Sequence, residues 1–514
     1  MDLFWKPAQE LSLEEQRILK SCKKSKLFTF LRNHRLELFD DAFQKELSAV
    51  YPQRDSGKPV VPPALLATAL LLQAWFGFSD QDAAESAQWD SRWKMILGTL
   101  EESEAPFCQA TLCNFRQRLI ENQLDRRLFE KTVQLARSKK GFSHTALRVA
   151  FDSSPLYGAG RVEDTWNLIA HAVRNLLLSV AVFLGIDYNQ AADRAGIPLA
   201  KGRSLKAHLN IDWNNPQQKQ QALQQLLKQV EECRDFIQAE LSEEIQTPPM
   251  KEQWETLNQI LAQDIEPEPT GGKRLRRKSI PDRRISIEDK DMRHGHKTKL
   301  KLFAGFKNHL AQDIETGIVV AVDVTKGNQT DDKALLVMEQ EIARQRLAVA
   351  EGYTDRAYLE TEDLYQAEEL KFPIHCKAYS IKSRGKYTKE DFKFDWKQKK
   401  IKCPAGQEVS FQEGEVAKFP RETCQICPKR ESCTSSKQGR SVSIHIRENF
   451  LQKLRTRQQE PEEKANLQMR TYIEHGLGKV VMWQGHKARY RGIRKNRFDL
   501  YRHASLVNLH VAAA

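Results

Sequence analysis

Three stretches decide how this chain folds: RVAFDSSPLYG at residues 148–158, AVAEGYTDRAY at 348–358 and QMRTYIEHGLGK at 468–479. In the first, Val149 and Phe151 are apolar and strand-forming, and Ser153-Ser154-Pro155 predicts that the strand, over 145–151, stops at Asp152. A second apolar run, 347–352, leads to Asp355, and the third stretch favours helix around Glu474. Three carboxylates at the edges of different elements suggest a two-metal nuclease site. Hard carboxylate oxygens suit Mg²⁺ or Mn²⁺, because substrate phosphates and water complete the coordination shell.

The 514 residues exceed one ordinary domain, so two or three are expected, and 40% hydrophobic residues are enough to build their cores. Eighty-one basic against 68 acidic residues leave a net charge of +13, which favours a polyanionic partner without separating DNA from RNA. The apolar stretches 64–78 and 175–186 fall short of the roughly 20 residues a bilayer needs and read as core helices, with no membrane partner. The opening MDLFWKPAQELSLEEQ lacks a basic region followed by an apolar one, so no signal peptide is evident. Nine cysteines, an odd number, fit a reducing compartment, and a cytoplasmic location is expected.

Residues 10–140 read as helices. Pro62 and Pro63 open one, Gly77 lies near its end, Ser79 and Asp82 form a capping box, and Thr111 is placed to cap a further helix carrying Arg116 and Arg118. A helix-turn-helix and a bundle with solvated arginines both remain open. Residues 163–263 read as a mostly helical insertion ending in DIEPEPTGGKRLRRKSIPDRR, a linker-like segment. Its Lys273, Arg274, Arg276, Arg277 and Lys278 either grip phosphate or are simply solvated. Strands follow over 298–306 and 317–324 with AQDIETG as a hairpin turn, then a helix over 332–344 and a strand over 347–352.

CPAGQEVSFQEGEVAKFPRETCQICPKRESC places Cys424 and Cys427 in a C-x-x-C knuckle that Cys403 and Cys433 would complete to a Cys₄ zinc site. Reduced cysteines in a small turn-rich module are the alternative. Cys22, Cys108, Cys113, Cys233 and Cys376 read as packing residues. The tail HKARYRGIRKNRFDLYRH mixes basic and aromatic side chains, with the aromatic ones expected inward and several basic ones outward.

In order, WFGFSDQDAAESAQWDSRWKMILG, FCQATLCNFRQRL, Asp152, GHKTKLKLFAGFKNHLAQDIETGIVVAVDVTKGNQTDD, DRAY, the cysteine segment and ARYRGIRKNRFDLYRHASLVNL run over nearly the whole chain. This series resembles the DDE transposases of bacterial insertion sequences, of the insertion-sequence family 1182 type, whose catalytic domain is RNase H-like. The resemblance implies an α/β chain with a mixed sheet interrupted after its first strand. Residues 1–140 would be the helical, DNA-binding region, 141–162 and 282–380 the catalytic domain, and 163–281 an insertion with a basic linker. Residues 381–445 would be the cysteine module and 446–514 the catalytic helices and basic tail.

The resemblance further implies that Asp152 bridges two metals with Asp355 and Glu474 on separate sides. Many members carry a tyrosine, an arginine and a lysine around the glutamate. Here Arg470 matches, Leu467 holds the tyrosine position and Lys479 is displaced. Arg470 either holds a phosphate near the metals or forms an ordinary ion pair with Glu474 on one helix face. DRAY selects Asp355 over Glu351, and Asp331 and Asp332 read as caps of the next helix. The implied partners are double-stranded DNA, as terminal inverted repeats and target, contacted by Arg116, Arg118, Arg470, Lys479, Arg489 and Arg491, and a second copy assembled on that DNA, at the nucleoid. A nuclease of the same fold without strand transfer and a non-catalytic DNA-binding descendant are the rival readings.

Overall fold

The computed structural model describes residues 3–22, 25–52, 60–202, 204–269, 271–298, 300–359, 373–378, 381 and 385–514. Strand β1 spans Ala146–Tyr157 and so runs through the Ser-Ser-Pro expected to end it. The proline is tolerated because its neighbour has already gone. Strand β1 pairs in parallel only as far as Ala150↔Tyr353, and Tyr157 N–H, two residues beyond Pro155 and facing the same edge, bonds outward to His486 O at 2.8 Å. A residue without an N–H therefore sits where no ladder bond is needed.

The other strands of this sheet are β2 (Arg293–Thr298), β3 (Lys301–Asp313), β4 (Val319–Lys326), β5 (Ala348–Tyr353) and β6 (Ile374–His375). In space the order is β2-β3-β1-β5-β6, with β4 also paired to β3. Strands β1 and β3 are antiparallel, with Asp152 opposite Leu310, whereas β5 runs parallel to β1 and β6 parallel to β5. Strand β2 escapes a reading by alternation because RHGHKT carries no apolar side chain. At Gly295 a Cβ would stand 2.3 Å from the carbonyl oxygen of Gly327, so the backbones meet there only because both residues are glycine.

Helix Asp332–Arg344 packs on β4 and β5, and helix Tyr472–Gln484 on β1 and β3. Their buried residues join those of the strands in one core that includes Phe151, Leu310, Val322, Leu335 and Ile473. This mixed α/β architecture, with a helical region before it, is consistent with an RNase H-like transposase fold.

Helices before β1 build a second core around Phe28, Leu70, Trp93 and Phe115. Helix Pro63–Phe76 opens on its proline, is buried nearly all round, and ends at Gly77 with φ +68°, while Ser79 and Asp82 form the capping box. Thr111 does not cap. Helix Gln109–Glu121 starts earlier than expected, after Cys108, whose sulfur lies 3.3 Å from the Thr111 hydroxyl. Cys108 and Cys113 are exposed rather than packed inside. The late helix Ile493–Ala513 belongs to both cores: Phe498, Leu506 and Leu509 pack with the helical region, and Leu500, Tyr501, Ala504 and Val507 with the sheet. Burial of each large apolar side chain contributes about 1.5–3 kcal/mol, so this helix ties the two regions firmly.

The insertion has its own core from helices Thr165–Leu184, Pro216–Glu240 and Met250–Asp264. The first of these, at 20 residues, is longer than the 175–186 stretch and by length and composition alone is able to cross a membrane. Leu168, Ala172, Leu176 and Val180 nonetheless pack into the insertion. The linker reading is corrected. Lys273–Leu275 pairs with Ile265–Pro267 as a hairpin, where Arg274 meets Glu266 at 2.9 Å, Arg276 meets Glu266 at 3.6 Å and Lys273 pairs with Glu231. The cysteine module is a separate cluster of short strands around Phe392, Ile401, Phe411 and Val442.

Candidate active site

Asp152 lies two residues beyond the last β1 residue that pairs with β5, so its strand protrudes past its parallel neighbour. Strand β5 ends at Tyr353, and Asp355 follows it, accepting the Ala357 N–H at 2.8 Å before a short turn of helix. Glu474 lies in the first turn of Tyr472–Gln484. Arg470, just before that helix, donates from Nη1 to Asp152 Oδ2 at 3.3 Å and places Nη2 3.6 Å from Glu474 Oε1. The ion pair with Glu474 is thus present, although Arg470 lies in the turn ahead of the helix rather than within it, and the same guanidinium also reaches Asp152.

The electrostatics are unequal. Burial pushes the Asp152 carboxyl up to about 6, the neighbouring carboxylates of Asp355 and Asp331 add to this, and the Ser153 N–H and Arg470 oppose it. Glu474 is more than half exposed, at 59% of its side chain, so its charge is largely water-solvated.

Asp331 corrects the sequence reading. It precedes helix Asp332–Arg344 but makes no side-chain capping bond. Instead it accepts from Lys307 Nζ at 2.6 Å and from the Ser153 hydroxyl at 2.7 Å, which turns it toward the residue beside Asp152. Burial works against its charge, yet His309, Lys307 and Ser153 hold its carboxyl below the usual range. Beneath it, complete burial pushes His309 down to about 4, and His309 bonds Thr325 at 2.8 Å. Asp331 is therefore a fourth carboxylate at this place. The double Asp ahead of an amphipathic stretch masked it, since capping is the commoner use of such a pair.

Glu351 is occupied elsewhere: it lies 3.3 Å from Arg148 and accepts from the Tyr353 hydroxyl. The negative charge felt by Asp152 comes from Asp355 and Asp331. Carboxylate oxygens suit Mg²⁺ or Mn²⁺ by chemistry. Among the described residues, no three His, Cys, Asp or Glu side chains are gathered into a group that could hold a metal ion, and Arg470 stands between two of the carboxylates. The same statement covers Cys403, Cys424, Cys427 and Cys433, although all four line one cavity of about 440 Å³. Burial raises the Cys433 thiol, reinforced by the other three sulfurs.

The basic residues sort differently from expectation. Arg116 is buried, with both terminal nitrogens on Asp80 at 2.8 and 2.6 Å, so it is a structural cation rather than a DNA-facing one. Arg118 lies over the Tyr51 ring at 4.4 Å and is half-buried. Lys479 and Arg489 are exposed, and Arg491, also exposed, pairs with Glu288 at 2.8 Å.

Residues 397–512 match the family model described as Transposase DDE domain, and residues 25–118 match Transposase domain (DUF772). Two transposase family models thus match the chain, one of them a DDE domain. The first match spans the four cysteines, Arg470 and Glu474, while Asp152 and Asp355 precede it; the second spans the helical region up to Arg118. No curated protein and no solved structure matches the chain. Two transposase domains at opposite ends of the chain agree with an insertion-sequence DDE transposase.

Proposed function

We propose that this chain is the DNA transposase of an insertion sequence, of the 1182 type, which cuts element ends and joins them to target DNA. The observation that carries the reading is that Asp152, beyond the last residue of β1 paired with β5, feels the charge of Asp355 and shares Arg470 with Glu474. Asp152, Asp355 and Glu474 would hold Mg²⁺ or Mn²⁺. When bound, such ions activate the attacking oxygen and stabilise the leaving one in an in-line displacement.

The chain's own residues prepare that chemistry. Arg470 offsets part of the negative charge of Asp152 and Glu474 in the free protein and is placed to meet a phosphate. Lys307 and Ser153 fix Asp331 close enough to Asp152 for its charge to help raise the Asp152 carboxyl. The partners in this reading are duplex DNA at the terminal inverted repeats and at the target, with Arg118, Lys479, Arg489 and Arg491 on its backbone. Two copies assemble on that DNA, at the nucleoid in the cytoplasm. Structural zinc on Cys403, Cys424, Cys427 and Cys433 completes the proposal, supported by their shared cavity.

The test is a purified reaction on duplexes taken from the DNA flanking the gene. Mg²⁺-dependent cleavage followed by strand joining is expected, with both lost in Asp152→Asn or Glu474→Gln and DNA binding kept. Cutting without joining would replace the reading by a nuclease, and binding without cutting by a non-catalytic descendant. Metal analysis should find about one zinc per chain, reduced in Cys427→Ser; metal-free protein of unchanged stability would remove the zinc.

A further inference from the structure

A cavity of about 510 Å³ opens where the insertion returns to the sheet, away from the carboxylates. Its walls include Arg276, Lys278, Arg283 and Arg293 as well as His294 and His296. Two acids also line it, and both are engaged: Asp264 with Arg283 at 2.6 Å and Asp282 with Arg293 at 2.8 Å. Lys278, His294 and His296 are exposed and in no ion pair among the described residues. We infer that this cavity is a seat for backbone phosphates of duplex DNA, outside the carboxylate site; the inference rests on the DNA-processing reading above.

Three further observations support it. Burial pushes His294 down, and Arg283 and His296 push it further, as a positive field demands. Asp282 sits at φ +58°, a left-handed conformation uncommon outside glycine. It is kept there by Arg293, by Lys326 at 3.1 Å and by Asn328 at 3.2 Å, so the loop that shapes the cavity is firmly held.

The position is also suitable. Tyr157 lies five residues along β1 from Asp152, and the register runs from Tyr157 to Gly305 to Arg293. At roughly 3.3 Å per residue and 4.8 Å per strand, the backbone of Arg293 on the cavity wall lies ~19 Å from that of Asp152 along the sheet. A duplex cut at Asp152 would present a phosphate there after roughly five or six base pairs.

The experiment measures binding of the full chain to a duplex of arbitrary sequence across a salt series. Lys278→Gln is expected to reduce the slope of log affinity against log salt by about 0.9, and Arg276→Gln with Lys278→Gln by about 1.8. Lys251→Gln, an exposed cation outside the cavity, should leave the slope unchanged and controls for total charge. An unchanged slope in Lys278→Gln, whose exposed side chain is in no ion pair or hydrogen bond among the described residues, overturns this inference alone, as does an equal loss in Lys251→Gln. Calorimetry with inorganic phosphate gives another arm: phosphate uptake with an unaltered DNA slope assigns the cavity to a free anion and overturns it too. A wild-type chain that binds no duplex overturns this inference together with the proposed function.

Discussion

Arg470 holds its guanidinium 3.3 Å from Asp152 Oδ2, so this carboxylate, far less exposed than Glu474, already has a cation from another part of the chain beside it. The pair joins a strand begun at Ala146 to the turn ahead of the helix begun at Tyr472. Its strength is measurable by a double-mutant cycle. In metal-free protein near pH 8, Asp152→Asn and Arg470→Gln should show a coupling of about 1–2 kcal/mol. Denaturation midpoints of the four proteins check this, and simple additivity would contradict it.

The raised Asp152 carboxyl has a consequence for stability. Its folded value of about 6 exceeds the ordinary 3.8, so between those values the native state binds more protons than the unfolded one. The native state therefore loses stability as pH rises through this window, and the penalty is complete above it. Without divalent ions, Asp152→Asn should be more stable than wild type at pH 7.5 by on the order of 1–3 kcal/mol, with the advantage gone near pH 3.5. Thermal melts at the two pH values decide it.

The acids near the β5 end should separate by readout. Asp355→Ala is expected to lose metal-dependent cleavage while retaining DNA binding. Glu351→Ala should still cut, because its carboxylate is engaged with Arg148 and Tyr353, and should lose about 1 kcal/mol of stability. Asp331→Asn should weaken both, since it leaves Lys307 without its 2.6 Å partner beside Asp152. Cleavage by Asp355→Ala together with an inactive Glu351→Ala would move the site to Glu351.

Arg116→Ala should cost about 3–5 kcal/mol, because Asp80 is left without its bidentate cation in a buried setting. The salt slope of DNA binding should stay unchanged. A reduced slope with an unchanged melting temperature would restore Arg116 to the DNA-facing set.

The periodic elements were legible because pattern and packing agree in them. Helix Asp332–Arg344 and the capping box at Ser79 emerged as read from the residues. The misreadings share a cause, in that a local signal was overruled by a partner distant in sequence. Pro155 normally ends a strand, but here it faces an edge that β5 has vacated. Arg116 resembles any surface arginine on a helix until Asp80, 36 residues away, is folded against it. Asp331 has a capping position but a stronger bond to Lys307. For the same reason the pairing of Arg470 with Glu474, four residues on, was legible, yet its contact with Asp152, 318 residues away, was not.

Helix Ile493–Ala513 sets a timetable for biosynthesis. It supplies Phe498, Leu506 and Leu509 to a core whose other helices precede β1, and Leu500 and Val507 to the core of the sheet. Neither core can close while the ribosome is still making the segments between them. The nascent chain must wait, with apolar surfaces open, until its late helix emerges and seals both at once. The finished fold thus arrives only after translation of this helix, and a ribosome that stops early releases a polypeptide in which both cores are unfinished.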